Sequence, residues 1–130
     1  MQSLSSERKK LIKLMVYTIS KLTEESPGTD RHKDMLAFIA LTSEAVINSV
    51  TTTIRAWEKR GYWIKADQFR EKWNWTYVFH ESLIEVLQNE EWNNLSELIC
   101  SIKKYTDEVN IPKYQSNKEP WTGSYNKLMY

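Results

Sequence analysis

Few side chains in this chain could carry bond chemistry, and most of them stand at the wrong spacing for it. The histidines are His32 and His80, and the one cysteine is Cys100. A helical two-metal site needs a Glu three residues before a His on each of two helices, so that both ligands aim at one interior point. Here Thr29 precedes His32 and Tyr77 precedes His80. A zinc-protease helix needs a second histidine four residues after the first, and Ile84 stands at that position after His80. His80, Glu81 and Glu44 could form one mixed site, but a histidine on an apolar stripe is more often a hydrogen-bonded core or rim residue. Cys100 has no nucleophile signature around it and lies beside an apolar stripe, which reads as a small buried hydrophobe. Three glycines leave little room for a phosphate-cradling loop or a dinucleotide fingerprint, and no serine elbow is present. No catalytic residue, metal or cofactor is assigned, and an enzyme is the minority reading.

What remains is the chemistry of recognition. The stretch from Arg55 to Phe79 holds eight of the sixteen aromatic residues, interleaved with six basic and three acidic side chains. Rings and guanidinium groups bury large area with few frozen torsions and keep a polar handle, which is why they are enriched at interfaces. A three-and-four stripe that takes Phe69 and Trp73 leaves Trp63 and Trp75 pointing elsewhere, so some rings must reach the surface. The candidate partner-binding residues are Arg55, Trp57, Arg60, Tyr62, Trp63, Arg70, Trp73 and Trp75, with the tail rings Tyr114 and Trp121 covering the edge. The favoured function is a protein interaction module or a small subunit of an assembly, binding a protein partner or itself as a homodimer. A single-stranded nucleic-acid binder is second, since bases stack on rings beside cations. A small-ligand binder or an enzyme with a non-standard site is third.

Composition sets the frame for these readings. A length of 130 residues is that of one domain with a hydrophobic core, and 41% apolar with 27% charged residues are the proportions of a globular chain. The formal charge of +1 supplies no global field toward nucleic acid or an anionic membrane, so any basic site must be local. A lone cysteine and a charged first fifteen residues lead to the expectation of a cytoplasmic protein with no membrane partner.

The elements that must position the rings read as all-α: a single-domain, antiparallel, up-down four-helix bundle over residues 1–109, followed by an irregular aromatic tail over 110–130 that packs on the bundle or a partner. The first helix spans about residues 4 to 25, with serine caps at its start and the stripe Leu11, Ile12, Met15, Val16, Ile19 and Leu22. Ser26-Pro27-Gly28 ends it, and Thr29 or Asp30 caps the second helix, about 30 to 60, on the stripe Leu36, Ile39, Val46, Val50 and Trp57. The β-branched run Thr42 to Ile54 could be a strand on propensity alone, but the seven-residue recurrence across it favours helix. Gly61 is the natural reversal, either a turn or a kink in a continuous helix. Gly61-Tyr62-Trp63-Ile64-Lys65-Ala66 resembles the helix-to-helix turn of tetratricopeptide repeats over those six residues. No second copy stands at the period of about 34 residues that such arrays require, so only turn geometry is implied. The third helix, about 62 to 88, carries Ala66, Phe69, Trp73, Tyr77, His80, Ile84 and Leu87 on one stripe, with Trp75, Phe79 and Val86 on a second face. The fourth, about 90 to 109, has the cleanest period in the chain, from Trp92 to Val109, and Pro112 follows its end.

Overall fold

The computed structural model describes residues 3–110 and 119–130, and over them the chain is all-helical. Three long helices dominate: α1 (Leu4–Leu22), α2 (Asp30–Lys59) and α3 (Trp63–Asn89). A 3-10 turn (Trp92–Asn94) leads into two short helices, α4 (Leu95–Ser101) and α5 (Lys103–Thr106), and α6 (Ser124–Met129) lies near the C-terminus. Ser3 caps α1 by accepting from the Ser6 amide at 3.1 Å, and Thr29 caps α2 by accepting from the His32 amide at 3.2 Å.

α2 is the helix around which the others are laid, with α1, α3 and α6 all packed against it. By length and composition alone it could cross a bilayer, and this apolarity serves burial here. Leu36, Ile39, Val46, Val50 and Ile54 are buried on it, with Ala37, Ala40 and Ser43 fully enclosed where neighbouring backbones come close. The β-branched run Thr42 to Ile54 is helical throughout. Its hydroxyls bond back within the helix, Thr42 to the Phe38 carbonyl at 2.7 Å and Thr53 to the Ser49 carbonyl at 3.2 Å, so burial leaves them satisfied.

Gly61 ends α2 outright. It sits at φ +81°, its amide donates to the Glu58 carbonyl at 3.0 Å, and the Tyr62 amide reaches back to the Trp57 carbonyl at 2.9 Å. This pair of bonds is a Schellman cap, so the chain turns here and α3 starts afresh at Trp63.

Three sequence expectations need correction. The buried residues of α3 are Ala66, Thr76, Phe79, Leu83, Val86 and Leu87. Ala66 and Leu87 of the expected stripe and Phe79 and Val86 of the second face are thus buried, while Thr76 and Leu83 replace Tyr77, which is exposed, and Ile84, which is only partly buried. The cause is that α3 packs on α2 along one side and on the 3-10 turn and α4 along another, so its buried sector lies between the two neighbours. The expected helix from 90 to 109 is broken into a 3-10 turn and two short helices. This segment packs chiefly on α3 alone, and Ser101 competes with the helical ladder by bonding back to the Leu98 carbonyl, so little tertiary packing holds a long helix together. The tail is also less irregular than expected over its described part, since α6 lies against α2.

The α1–α2 loop is built around His32, which is 2% exposed. Its Nδ1 accepts from the Gly28 amide at 3.2 Å, and its ring meets Trp92 edge to face at 5.2 Å. Gly28 has φ +83°, which favours glycine, and a Cβ there would stand 3.2 Å from the Trp92 indole nitrogen and press the ring aside. Desolvation by burial holds the His32 pKa below its ordinary 6.5, against a smaller upward pull from Glu25. The folded state therefore refuses a proton that the unfolded chain accepts below pH 6.5. His32 contributes stability that is complete above 6.5 and is lost as pH falls through that value toward the folded pKa. In an NMR titration the His32 ring is expected to change charge below 6.5 while the denaturation midpoint drops over the same range, and a ring midpoint at or above 6.5 would contradict this.

Candidate functional site

The structure divides the aromatic stretch into an inward set and an outward set. Four half-buried rings form the inward set and, with the exposed Tyr105, make a ladder: Trp57 meets Phe69 at 4.9 Å, Phe69 meets Trp73 at 6.3 Å, Trp73 meets Trp75 at 6.1 Å, and Trp75 lies parallel to Tyr105 at 4.9 Å. The first four come from the end of α2 and the first half of α3, and Tyr105 comes from α5. Cations sit over the ladder along its length. Lys65 Nζ is 5.3 Å from the Trp57 centroid, the Arg8 guanidinium is 5.0 Å from Phe69 and 5.5 Å from Trp73, and Lys104 Nζ is 5.0 Å from Tyr105.

Arg8 is the residue that the sequence reading did not single out. It is 7% exposed, and its Nη1 donates to Ser49 Oγ at 2.9 Å and to Thr53 Oγ1 at 3.3 Å. No carboxylate pairs with it among the described residues, and desolvation by burial pulls its pKa down. Its place was marked in the sequence, because Arg8 stands in register with Ile12, Met15 and Leu22 on the apolar face of α1. A cation on that stripe must be buried with partners, and here hydroxyls and ring faces take that role.

Beside the ladder, α1, α3 and the end of α5 enclose a cleft of about 640 Å³ that is lined by Arg8, Lys9, Lys13, Lys72, Phe69 and Trp73 among others. On the other side of the Trp75–Tyr105 stack, a second groove of about 630 Å³ runs between α3 and α4. Its walls include Val78, Phe79 and Leu98, and its rim carries Glu71, Glu85, Glu91 and Glu97. No group of three or more His, Cys, Asp and Glu converges among the described residues. His80 donates to or accepts from Ser43 Oγ at 2.9 Å, depending on its tautomer.

The outward set sits at the α2–α3 turn, where Tyr62, Trp63 and Ile64 are 53%, 60% and 77% exposed. Arg55, Lys59, Arg60 and Lys65 are exposed around them. Trp57, Trp73 and Trp75 are half-buried in the ladder, so the candidate residues do not form one surface. Arg70 is engaged within the chain, bonded to Glu58 at 3.0 Å and to Asp67, and the Glu58 bond chiefly raises its pKa. Tyr114 lies outside the described residues.

Trp121 does not border this region. It is 2% exposed, stacks on Tyr17 at 6.1 Å and lies under Arg31 at 5.8 Å. The Asp34 carboxylate of α2 accepts from the amides of Gly123 at 3.1 Å and Tyr125 at 2.9 Å, which closes the first turn of α6. The spacing of Trp121, Ser124, Tyr125 and Leu128 is helical and was the readable signal for this docking. Asp34→Ala is expected to cost about 1–2 kcal/mol, because two amides lose their acceptor. Limited trypsin cleavage at Lys127 should then accelerate, and unchanged cleavage with unchanged stability would show that the latch is not needed.

Cys100 is exposed, contrary to the expectation of burial. α4 turns Leu95 inward with Ile102 just beyond its end, and Cys100 falls off that stripe onto the outer side. Cys100→Ser is therefore expected to change stability by no more than about 0.5 kcal/mol, and the native thiol should react with a soluble disulfide reagent as fast as a free one. Slow labelling would restore the buried reading.

No protein-family model matches the chain, and no match was found among curated proteins or solved structures.

Proposed function

We propose that the protein is an interaction module, that its docking surface is the unpartnered outer face of α3 beginning at Tyr62, Trp63 and Ile64, and that its first partner is a second copy of the chain. The observation that carries this reading is the exposure of three consecutive large apolar side chains at one turn, 53%, 60% and 77%. A solvent-facing cluster of this kind is uncommon on a protein that works alone.

The reading of a second copy rests on charge and register. Ile64, Glu71, Val78, Ser82 and Glu85 share one stripe of α3 with Trp75, on which Tyr105 of α5 stacks, and α4 flanks its C-terminal half. Two α3 helices laid antiparallel about a two-fold axis would bring the basic turn, with Arg60 and Lys65, over the partner's acid-rimmed groove. An isologous contact buries both apolar ends at once. The same reading takes α1, α2, α3 and the broken segment 92–106 as the four members of an up-down antiparallel bundle that holds this face rigid.

Light scattering or sedimentation across concentration tests the proposal with wild type, Trp63→Ala and Ile64→Glu. Both side chains are more than half exposed, so neither change should unfold the chain. The wild type is expected to dimerise, and each variant to weaken the dimer by about 2 kcal/mol, roughly thirtyfold in affinity. A wild type that stays monomeric at every concentration, or variants that dimerise unchanged, would overturn self-association through this face.

A further inference from the structure

We propose that the cleft between α1, α3 and α5 is a binding site for a phosphate group carried by a small organic molecule, with Arg8 at its floor and the ladder rings along one wall. The first support is the state of Arg8. It is a buried cation whose Nη1 is spent on Ser49 and Thr53, while its Nε and Nη2 bond nothing among the described residues. The Nε–Nη2 edge is the side of a guanidinium that takes two oxygens of one oxyanion in parallel.

The second support is charge. Lys9 and Lys13 from α1 and Lys72 from α3 line the same cleft, and none of them pairs with a carboxylate among the described residues. Glu108 is the single acidic side chain on the lining among the described residues. Four cations against one carboxylate leave a local excess that a dianionic phosphate matches better than a carboxylate does. On a chain of net charge +1, this excess is a feature of the site and not of the protein as a whole.

The third support is the wall. Phe69, Trp73, Trp75 and Tyr105 line the cleft, so an organic group attached to the phosphate would rest on rings. The indole N–H of Trp73, one of these rings, is buried with no acceptor among the described residues. A cleft with oxyanion donors at its floor and apolar rings on its wall is the general form of a small-ligand site. Trp75 borders both surfaces, but Tyr62, Trp63 and Ile64 do not line the cleft, so variants at the turn separate self-association from phosphate binding.

Calorimetric titration with phenyl phosphate, inorganic phosphate, benzoate and a short oligothymidylate tests the proposal, at low and at physiological salt. Phenyl phosphate is expected to bind once per chain, more tightly than either inorganic phosphate or benzoate, with affinity falling as salt rises. Lys13→Gln with Lys72→Gln, both exposed positions that leave the fold intact, should weaken it about tenfold or more. Arg8→Lys keeps the charge but loses the two-point edge, and should abolish binding in a variant shown by circular dichroism to be folded. Absence of phenyl phosphate binding at millimolar concentration, or binding untouched by the double lysine change, would overturn the site. Equal affinity for inorganic phosphate would overturn the role of the rings, and binding of the oligothymidylate without phenyl phosphate would replace the small ligand with a nucleic-acid strand.

Discussion

The burial of α2 is the constraint from which the rest of the structure follows. A 30-residue helix that is apolar over more than one face cannot rest against a single neighbour. Each fully buried Leu, Ile or Val is worth about 1.5–3 kcal/mol, so leaving any sector of this helix wet would forfeit much of the stability of a small domain. α1 covers one side, α3 another, and α6 comes back from the far end of the chain to cover a third. The enclosed Ala37, Ala40 and Ser43 let these helices approach, and the carboxylate of Asp34 fixes the last of them by closing its first turn.

Covering α2 leaves one problem at the open end between α1 and α3, and its solution generates the candidate sites. The apolar stripe of α1 ends in Arg8, which is buried beside Ser49 and Thr53 of α2. Rings can lie against a guanidinium without competing for its protons, so Phe69 and Trp73 pack on it and start the ladder that Trp75 and Tyr105 continue. Phe69, Trp73 and Trp75 are thereby held half-buried, with one side on the bundle and the other on the cleft. Tyr62, Trp63 and Ile64 precede the first contacts of α3 and stand beyond the Schellman cap of α2, so nothing among the described residues reaches over them. One run of rings thus becomes a cleft wall on one side and an exposed turn on the other.

The long helices were legible because their signals are local. Serine and threonine caps, the Pro27-Gly28 break and the three-and-four stripes gave the bounds of α1, α2 and α3 within a few residues. The helical state of Thr42 to Ile54 was readable only through its seven-residue recurrence, against its propensity. What failed depended on neighbours. The rotation of the α3 face requires knowing that α4 lies beside it, and the breaking of the 90–109 helix requires knowing that it has one main neighbour. At the candidate site the residue types were legible and their grouping was not. Arg70 looked free and is tied to Glu58, Trp121 looked peripheral and is in the core, and Arg8 looked like one more cation on a basic helix. The register of Arg8 with the α1 stripe and the helical spacing from Trp121 to Leu128 marked two of these as packed, but their partners, like Glu58 for Arg70, stand more than ten residues away and no periodicity encodes them.

The central claim is that Trp57, Phe69, Trp73 and Trp75 form a ladder that meets Arg8 while Tyr62 and Trp63 stand on an exposed turn. It is tested most directly by fluorine NMR of protein labelled with 5-fluorotryptophan, assigned by single substitutions and read in the presence of a soluble paramagnetic agent at concentrations where the chain is monomeric. The account predicts strong broadening of Trp63, no broadening of Trp121, and intermediate protection of Trp57, Trp73 and Trp75. Protection of Trp63 equal to that of Trp121, or exposure of Trp73 and Trp75 equal to that of Trp63, would contradict it.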